Sequence, residues 1–316
     1  GHGSVPLPGG CQLGERLFDI HEHVLTEFGA EVWQENGQLK TFVPGGKLKG
    51  KEISLRIRST GATENAILCG TLAEGKTSIL NPHIRPEILD LIGMLRLMGA
   101  KISVFGQERI EITGVDGLRG ARYRVMPDNM EAITWFVASV MTRGDIEMFD
   151  FPTNHLETPL IHLRESGAKF FINDTNVIVR GGVCYPLEIS TGPYPGINSD
   201  VQPILAAYAA CARGDSRIVD LRFPGRYNYA SEMRKMGVEL KKDGNLLKIM
   251  GKGGGLCGAK VKALDLRAGI SLLLLGLVAK GSTEISDAWQ IFRGYDKILS
   301  KLKLLGGNVE LINDIN

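Results

Sequence analysis

A motif of roughly seventy residues recurs along this chain, and no other feature limits its fold so tightly. Five segments close an apolar-periodic stretch on a glycine and pass at once into a β-type run. They are Phe28-Gly29-Ala30-Glu31-Val32, Met98-Gly99-Ala100-Lys101-Ile102, Ser166-Gly167-Ala168-Lys169-Phe170, Met236-Gly237-Val238-Glu239-Leu240 and Leu305-Gly306-Gly307-Asn308-Val309. Successive glycines lie 70, 68, 70 and 69 residues apart. Each reads as the residue just past a helix end, where a positive φ is cheap for glycine alone. A second glycine, at Gly75, Gly144, Gly214 and Gly281, precedes the next helix-closing glycine by 23 to 25 residues. It ends an Ala/Leu-rich stretch. The unit therefore reads helix, strand, helix, strand, turn, strand. By the same ruler Gly3 marks the end of a first helix, and the chain holds about four and a half units. This predicts missing sequence upstream of Gly1.

The two helices of a unit differ. Ile88, Leu91, Ile92, Leu95 and Met98 line one face behind Pro86, an amphipathic pattern with proline in the first turn. The other helix is apolar nearly all round, as in Ile270-Ser-Leu-Leu-Leu-Leu-Gly-Leu-Val-Ala279. Such a helix must be covered on all sides, which predicts an α/β fold with sheets around buried helices. A length of 316 residues suggests two domains. The interdomain crossing is expected near Met126–Asp128.

Composition removes several function classes. With 37 Lys+Arg against 35 Asp+Glu, bulk charge gives no grip on nucleic acid. No apolar run approaches the about 20 residues of a membrane span. Five cysteines without a CxxC pair argue against a disulfide framework and a zinc site. A reducing cytoplasm fits best.

Charge recurs within the repeat. Arg16, Arg85, Arg226 and Arg293 lie 11 to 14 residues before a closing glycine, in the turn that enters the second helix. A cation there opposes the helix dipole, so its recurrence points to a bound anion. Ser59, Asp128, Asp200 and Asp265 open the apolar helices and read as N-caps. Asp200 stands apart, because it follows the stiff Pro193-Tyr-Pro-Gly-Ile-Asn-Ser199 segment. A carboxylate delivered by such a loop can serve as a base. Cys11, in Pro8-Gly-Gly-Cys-Gln and five residues from Arg16, is the candidate reactive thiol. Cys69 and Cys211 read as inert core thiols, and Cys257 as exposed. His21 and His23 read as a solvated helix face, without a third metal ligand nearby.

Several of these stretches resemble one family. They are Pro8-Gly-Gly-Cys-Gln-Leu-Gly-Glu-Arg-Leu-Phe-Asp-Ile-His21, Gly61-Ala-Thr-Glu-Asn-Ala66, Arg85-Pro-Glu-Ile88, Pro127-Asp-Asn-Met-Glu-Ala132, Tyr194-Pro-Gly-Ile-Asn-Ser-Asp-Val-Gln202, Asp265-Leu-Arg-Ala268 and Arg293-Gly-Tyr-Asp296. In order and spacing they are similar to the UDP-N-acetylglucosamine 1-carboxyvinyltransferases. The related 5-enolpyruvylshikimate-3-phosphate synthases share that family's fold but lack its cysteine loop. The resemblance implies two inside-out α/β barrels built from repeated units. Residues 1–126 would form a partial first barrel carrying the cysteine loop, and 127–316 a second barrel of three units.

It also implies transfer of the enolpyruvyl group of phosphoenolpyruvate to the 3-hydroxyl of UDP-N-acetylglucosamine, the first committed step of peptidoglycan synthesis, with no cofactor or metal. Carried over by position, Cys11 is the general acid at C3 of phosphoenolpyruvate and the target of fosfomycin. Asp200 handles the sugar hydroxyl proton. Arg16 and Arg293 grip the phosphate of phosphoenolpyruvate, while Arg226 and Arg267 add positive charge. Asp19, Ser59 and Gly61 hold the uridine diphosphate, Phe223 packs on the uracil, and Asp265 joins the substrate-binding set. The chain departs from the family in three places. Ile57 stands where a uridine-binding lysine is common, Asn129 replaces the arginine of a PDR motif, and a Lys-Asn pair near the family's N-terminus has no counterpart. These departures keep two alternatives open: an enolpyruvyl transferase with another acceptor, and an inactive paralogue that binds a UDP-sugar.

Overall fold

A computed structural model describes residues 1–7, 19–223 and 225–312, and the chain divides into two compact units between Met126 and Pro127. In the first unit, β1 (His2–Pro6), α1 (Asp19–Glu27), β2 (Glu31–Glu35) and β3 (Gln38–Phe42) precede β4 (Glu52–Ser54) and α2 (Thr60–Leu72). There follow β5 (Lys76–Leu80), α3 (Pro86–Leu97), β6 (Lys101–Phe105) and β7 (Arg109–Thr113). The second unit begins with α4 (Asn129–Thr142), β8 (Ile146–Phe149), α5 (Glu157–Glu165), β9 (Lys169–Ile172) and β10 (Asn176–Arg180). It continues through β11 (Glu188–Ser190), α6 (Gln202–Ala210), β12 (Arg213–Val219), α7 (Tyr229–Lys235), β13 (Glu239–Asp243) and β14 (Leu246–Lys252). Its last elements are β15 (Lys260–Lys262), α8 (Leu266–Val278), β16 (Glu284–Ser286), α9 (Trp289–Phe292) and α10 (Ile298–Leu304).

The repeat is visible in the sheets. β4-β5-β7-β6 and β11-β12-β14-β13 have the same order, and β1-β3-β2 and β8-β10-β9 are the same sheet without its leading strand. The leading strands β4, β11 and β15 pair parallel with β5, β12 and β16, around α2, α6 and α8 respectively. A parallel pair needs such a crossover, whereas β6–β7, β9–β10 and β13–β14 close as antiparallel hairpins. The leading strands were not part of the unit read from sequence. Each is three residues long with one inward apolar side chain, Ile53, Ile189 or Val261, which is too short to register as a period. No strand forms over 307–312 after Gly306. A strand exists only within a ladder, and among the described residues no strand pairs with that segment.

The closing glycines behave as their spacing predicts: Gly29, Gly99, Gly167, Gly237 and Gly306 all have φ between 88° and 108°. At the second marker Gly75, Gly214 and Gly281 also have positive φ, at 90°, 129° and 92°, but Arg143 rather than Gly144 takes the left-handed conformation after α4, at φ 58°. Gly3 lies within β1, as Gly214 lies within β12.

In the second unit α4, α6 and α8 pack on one another, and β10, β12, β14 and β16 lie against them. All nine residues of α6 are buried. The amphipathic α5 and α7 each put one face inward, through Leu160 and Leu163 and through Ala230 and Met233. In the first unit α2 contributes Ala62, Ala66 and Ile67 to a separate core with Ile88 and Ile92 of α3. Among the described residues no helix is long and apolar enough to cross a membrane.

Candidate active site

Three of the four helix-opening residues read as caps do cap. Ser59 Oγ accepts from Ala62 N at 3.4 Å, Asp128 Oδ1 from Met130 N at 2.7 Å and Glu131 N at 3.0 Å, and Asp265 Oδ1 from Arg267 N at 2.7 Å and Ala268 N at 2.9 Å. Asp200 does not. The residue before α6 is Val201, which offers no side-chain cap, and Pro203 occupies the first turn, where a missing N–H costs least. The amide of Asp200 donates to Asn198 Oδ1 at 3.0 Å, so the carboxylate turns elsewhere.

It meets two arginines. Arg226 Nη1 donates to Asp200 Oδ1 at 2.8 Å, and Arg267 Nη2 lies 3.6 Å from Oδ2. The guanidinium-bearing side chains are only 11% and 14% exposed, against 38% for Asp200, so the carboxylate faces outward with the cations behind it. Arg267 is fixed at both ends. Asp265 holds its backbone, and its Nη1 donates to Tyr295 Oη at 3.5 Å. Tyr295 is buried and bonded to Thr134 Oγ1 at 2.8 Å, which brings the start of α4 and the Arg293-Gly-Tyr295 turn to one place. Arg226 also reaches Ser199 Oγ at 3.4 Å, and its guanidinium lies 5.4 Å from the centre of the Phe223 ring. Arg222 stands 5.5 Å from the same ring, which is 48% exposed. An exposed ring beside two cations is a stacking surface for a flat ligand that also carries negative charge. Two guanidiniums flank the Asp200 carboxylate, and their planar forks suit the oxygens of an anionic ligand.

Arg293 closes the short helix α9, donates to Gln290 Oε1 at 2.9 Å and lies 6.0 Å from the Trp289 ring. In the first unit Asp19 opens α1 and accepts from Arg56 Nη2 at 2.6 Å. Gly61 is pressed against His21: a Cβ there would come within 3.1 Å of the imidazole Cε1. His21 is therefore half-buried against α2 rather than on a solvated face, and burial lowers its pKa. Arg85 corrects the anion reading at its position. Its Nε and Nη2 donate to Glu87 at 2.6 Å each, so a carboxylate in the first turn of α3 offsets the cation. Cys11 and Arg16 lie outside the described residues. Of the described cysteines, burial pushes Cys69 and Cys184 up to about 11 and Cys211 up to about 12, while Cys257 is exposed. Among the described residues no group of three His, Cys, Asp or Glu could hold a metal ion.

Sequence reasoning passed over Asp220, His83 and Tyr295. Asp220 is fully buried at the end of β12, and its Oδ1 accepts from Arg222 N and Phe223 N at 2.9 Å each. An Asp at the head of a turn was the available signal. His83 Nδ1 lies 3.0 Å from Thr60 Oγ1 at the start of α2, and nothing local marks it. Tyr295 belongs to a motif in which only the arginine was assigned.

The family model of EPSP synthase (3-phosphoshikimate 1-carboxyvinyltransferase) matches residues 1–302. A UDP-N-acetylglucosamine 1-carboxyvinyltransferase of Sphingopyxis alaskensis is 38% identical over 316 residues, covering 99% of this chain and 73% of that protein. One from Finegoldia magna is 40% identical over 309 residues, covering 97% and 73%. Among solved structures, the enolpyruvyl transferase NikO from Streptomyces tendae superposes with a TM-score of 0.85 at 25% identity, covering 93% of this chain and 72% of that one. EPSP synthase from Acinetobacter baumannii gives 0.79 at 20% identity, covering 99% and 75%, a likeness of fold alone. With relatives at this identity along nearly its whole length, and a fold shared with NikO, the chain belongs to the UDP-N-acetylglucosamine 1-carboxyvinyltransferases, within the enolpyruvyl transferase family.

Proposed function

We propose that this chain transfers the enolpyruvyl group of phosphoenolpyruvate to the 3-hydroxyl of UDP-N-acetylglucosamine, releasing inorganic phosphate, as the first committed step of peptidoglycan synthesis. The observation that carries the reading is the outward-facing Asp200 carboxylate backed by Arg226 and Arg267. In addition, Asp200 takes the proton of the sugar hydroxyl as its oxygen bonds to C2 of phosphoenolpyruvate. A proton delivered to C3 makes the methyl group of a tetrahedral ketal. Cys11 is the acid for that step, since an enol carbon needs a donor whose pKa lies near working pH. In elimination the methyl group loses a proton, the C2–O bond to phosphate breaks, and the double bond reforms. Arg226, Arg267, Arg293 and Arg16 offset the charge of the phosphate and carboxylate groups. Asp265 serves by holding the helix start that presents Arg267.

By the family resemblance Phe223 receives the uracil, and Asp19, Ser59 and Gly61 are assigned to the uridine diphosphate. We read the second unit as an inside-out α/β barrel, because α4, α6 and α8 form its centre with strands outside them. A second acceptor is favoured by one observation. Ile57 is exposed where a cation would suit a nucleotide, and the neighbouring Arg56 is engaged by Asp19. Phosphate release from phosphoenolpyruvate, measured with UDP-N-acetylglucosamine and with a panel of other nucleotides, tests both. Release with UDP-N-acetylglucosamine is expected. Release only with another acceptor would replace the first reading, and binding without release would point to an inactive paralogue.

A further inference from the structure

We propose that Asp220 is a positioning residue for the reaction at Asp200, a buried carboxylate that ties the loop carrying Asp200 to the loop carrying Phe223 and Arg226. This rests on the function proposed above. Asp220 is 0% exposed. Its Oδ2 accepts from Ser199 Oγ at 2.5 Å, and Ser199 immediately precedes Asp200. Its Oδ1 accepts from Thr191 Oγ1 at 2.8 Å and from the backbone of Arg222 and Phe223. Thr191 follows β11 and starts the segment that ends at Asp200, so one carboxylate grips that segment at both ends. The backbone of Asp220 is held in turn. Its N–H donates to Tyr227 Oη at 2.8 Å, and that hydroxyl lies 2.6 Å from the Asn245 carbonyl oxygen. Tyr227 is itself buried and adjacent to Arg226.

The charge matters as well as the shape. Four donors converge on two carboxylate oxygens, and the bonds are shortened and strengthened by the negative charge. An anion beneath Ser199 fixes the sense of its hydroxyl: the proton points to Asp220, and a lone pair is left toward Arg226 Nη1, 3.4 Å away. Arg226 then completes the chain at Asp200 Oδ1. With Asn at 220 the amide N–H₂ would face Ser199, and the buried hydroxyl proton would lose its acceptor. The stack from residue 220 through Ser199 and Arg226 to Asp200 would lose its register. Small displacements of a reacting group are costly, with about 1 Å worth about a hundredfold in rate.

The test is Asp220→Asn, made alone and in an Asp200→Asn background, with kcat and KM measured for both substrates. The expected result is a fall in kcat of about tenfold or more with the KM for phosphoenolpyruvate nearly unchanged. In the Asp200→Asn background the same change should add less than about twofold, because the two residues act as one unit. Equal factors in the two backgrounds, or a loss of folded protein with kcat per folded site intact, would overturn the proposal. Where Asp220→Asn does not fold, Ser199→Ala removes a single donor and carries the same expectations. If the unaltered protein releases no phosphate, the proposed function fails on its own. The clamp is then judged from a crystal structure of Asp220→Asn: the Arg226–Asp200 contact of 2.8 Å should open by about 1 Å, and an unmoved contact refutes the clamp.

Discussion

Replacing Asp265 separates a helix cap from a charge. Asp265 Oδ1 receives two N–H groups of the first turn of α8, at 2.7 and 2.9 Å. Removing an N-cap costs about 0.5–2 kcal/mol, and a pair of well-formed bonds puts Asp265→Ala in the upper half of that range. Loss of the negative charge at the positive end of the helix dipole adds about 0.3–1 kcal/mol. The sum for Asp265→Ala is then about 1.5–3 kcal/mol. For a unit of this size that is a fall in Tm of about 3–12 °C. Asp265→Asn keeps the acceptor and loses only the charge, so it should cost no more than about 1 kcal/mol. Urea unfolding monitored by circular dichroism, with scanning calorimetry on the same variants, reads both quantities. The reasoning fails if Asn is as damaging as Ala, or if Ala leaves the midpoint where it was. The first result would mean that the charge carries the whole effect, and the second that the start of α8 is held by packing, since Ala268, Gly269, Ile270 and Ser271 are all buried behind it.

The His21 imidazole has a pKa held below its ordinary value of 6.5 by burial, so the folded state favours the neutral ring. Its contribution to stability is complete above 6.5 and is lost as pH falls through the depressed value. The first unit should unfold in less urea at a pH of about 5 than at about 7.5, and His21→Gln should narrow the gap; an unaltered gap would exclude His21 as the cause. For the thiols, iodoacetamide at a pH of about 7.5 should modify Cys257 well before Cys69, Cys184 and Cys211, whose raised pKa values leave almost no thiolate. All four should label alike in urea. Rapid folded-state labelling of Cys184 or Cys211 would contradict their burial.

What could be read from the sequence is what the chain does with its near neighbours. A glycine past a helix end or an aspartate two residues before a free N–H acts over a few residues. The five closing glycines and the caps at Ser59, Asp128 and Asp265 follow from spacing alone. Asp200 could be singled out because the proline-bearing segment before it differs from the other helix entries. Most of the misreadings involve partners distant along the chain. His21 is half-buried because Gly61 of α2 leaves room for its ring, and Asp220 collects donors from Thr191 and Ser199, 29 and 21 residues away. β4, β11 and β15 exist only because a parallel partner lies beyond a whole helix. Arg85 was misassigned for a different reason. Its counterion Glu87 stood two residues away, and recurrence of the arginine outweighed that neighbour.

An internally repeated chain makes most of its equivalent positions do the same job, and here one copy stops doing it. The start of α6 is that copy. An uncapped helix start costs about 1 kcal/mol, a sum that a frayed surface helix would show as unwinding. α6 can leave its opening bare because all nine of its residues are interior, and to unwind it would have to open the centre of the unit. The helix buried at all nine of its residues is thus the one whose preceding aspartate turns away from the backbone. A carboxylate that its siblings keep for their own backbone is turned instead to Arg226 and Arg267.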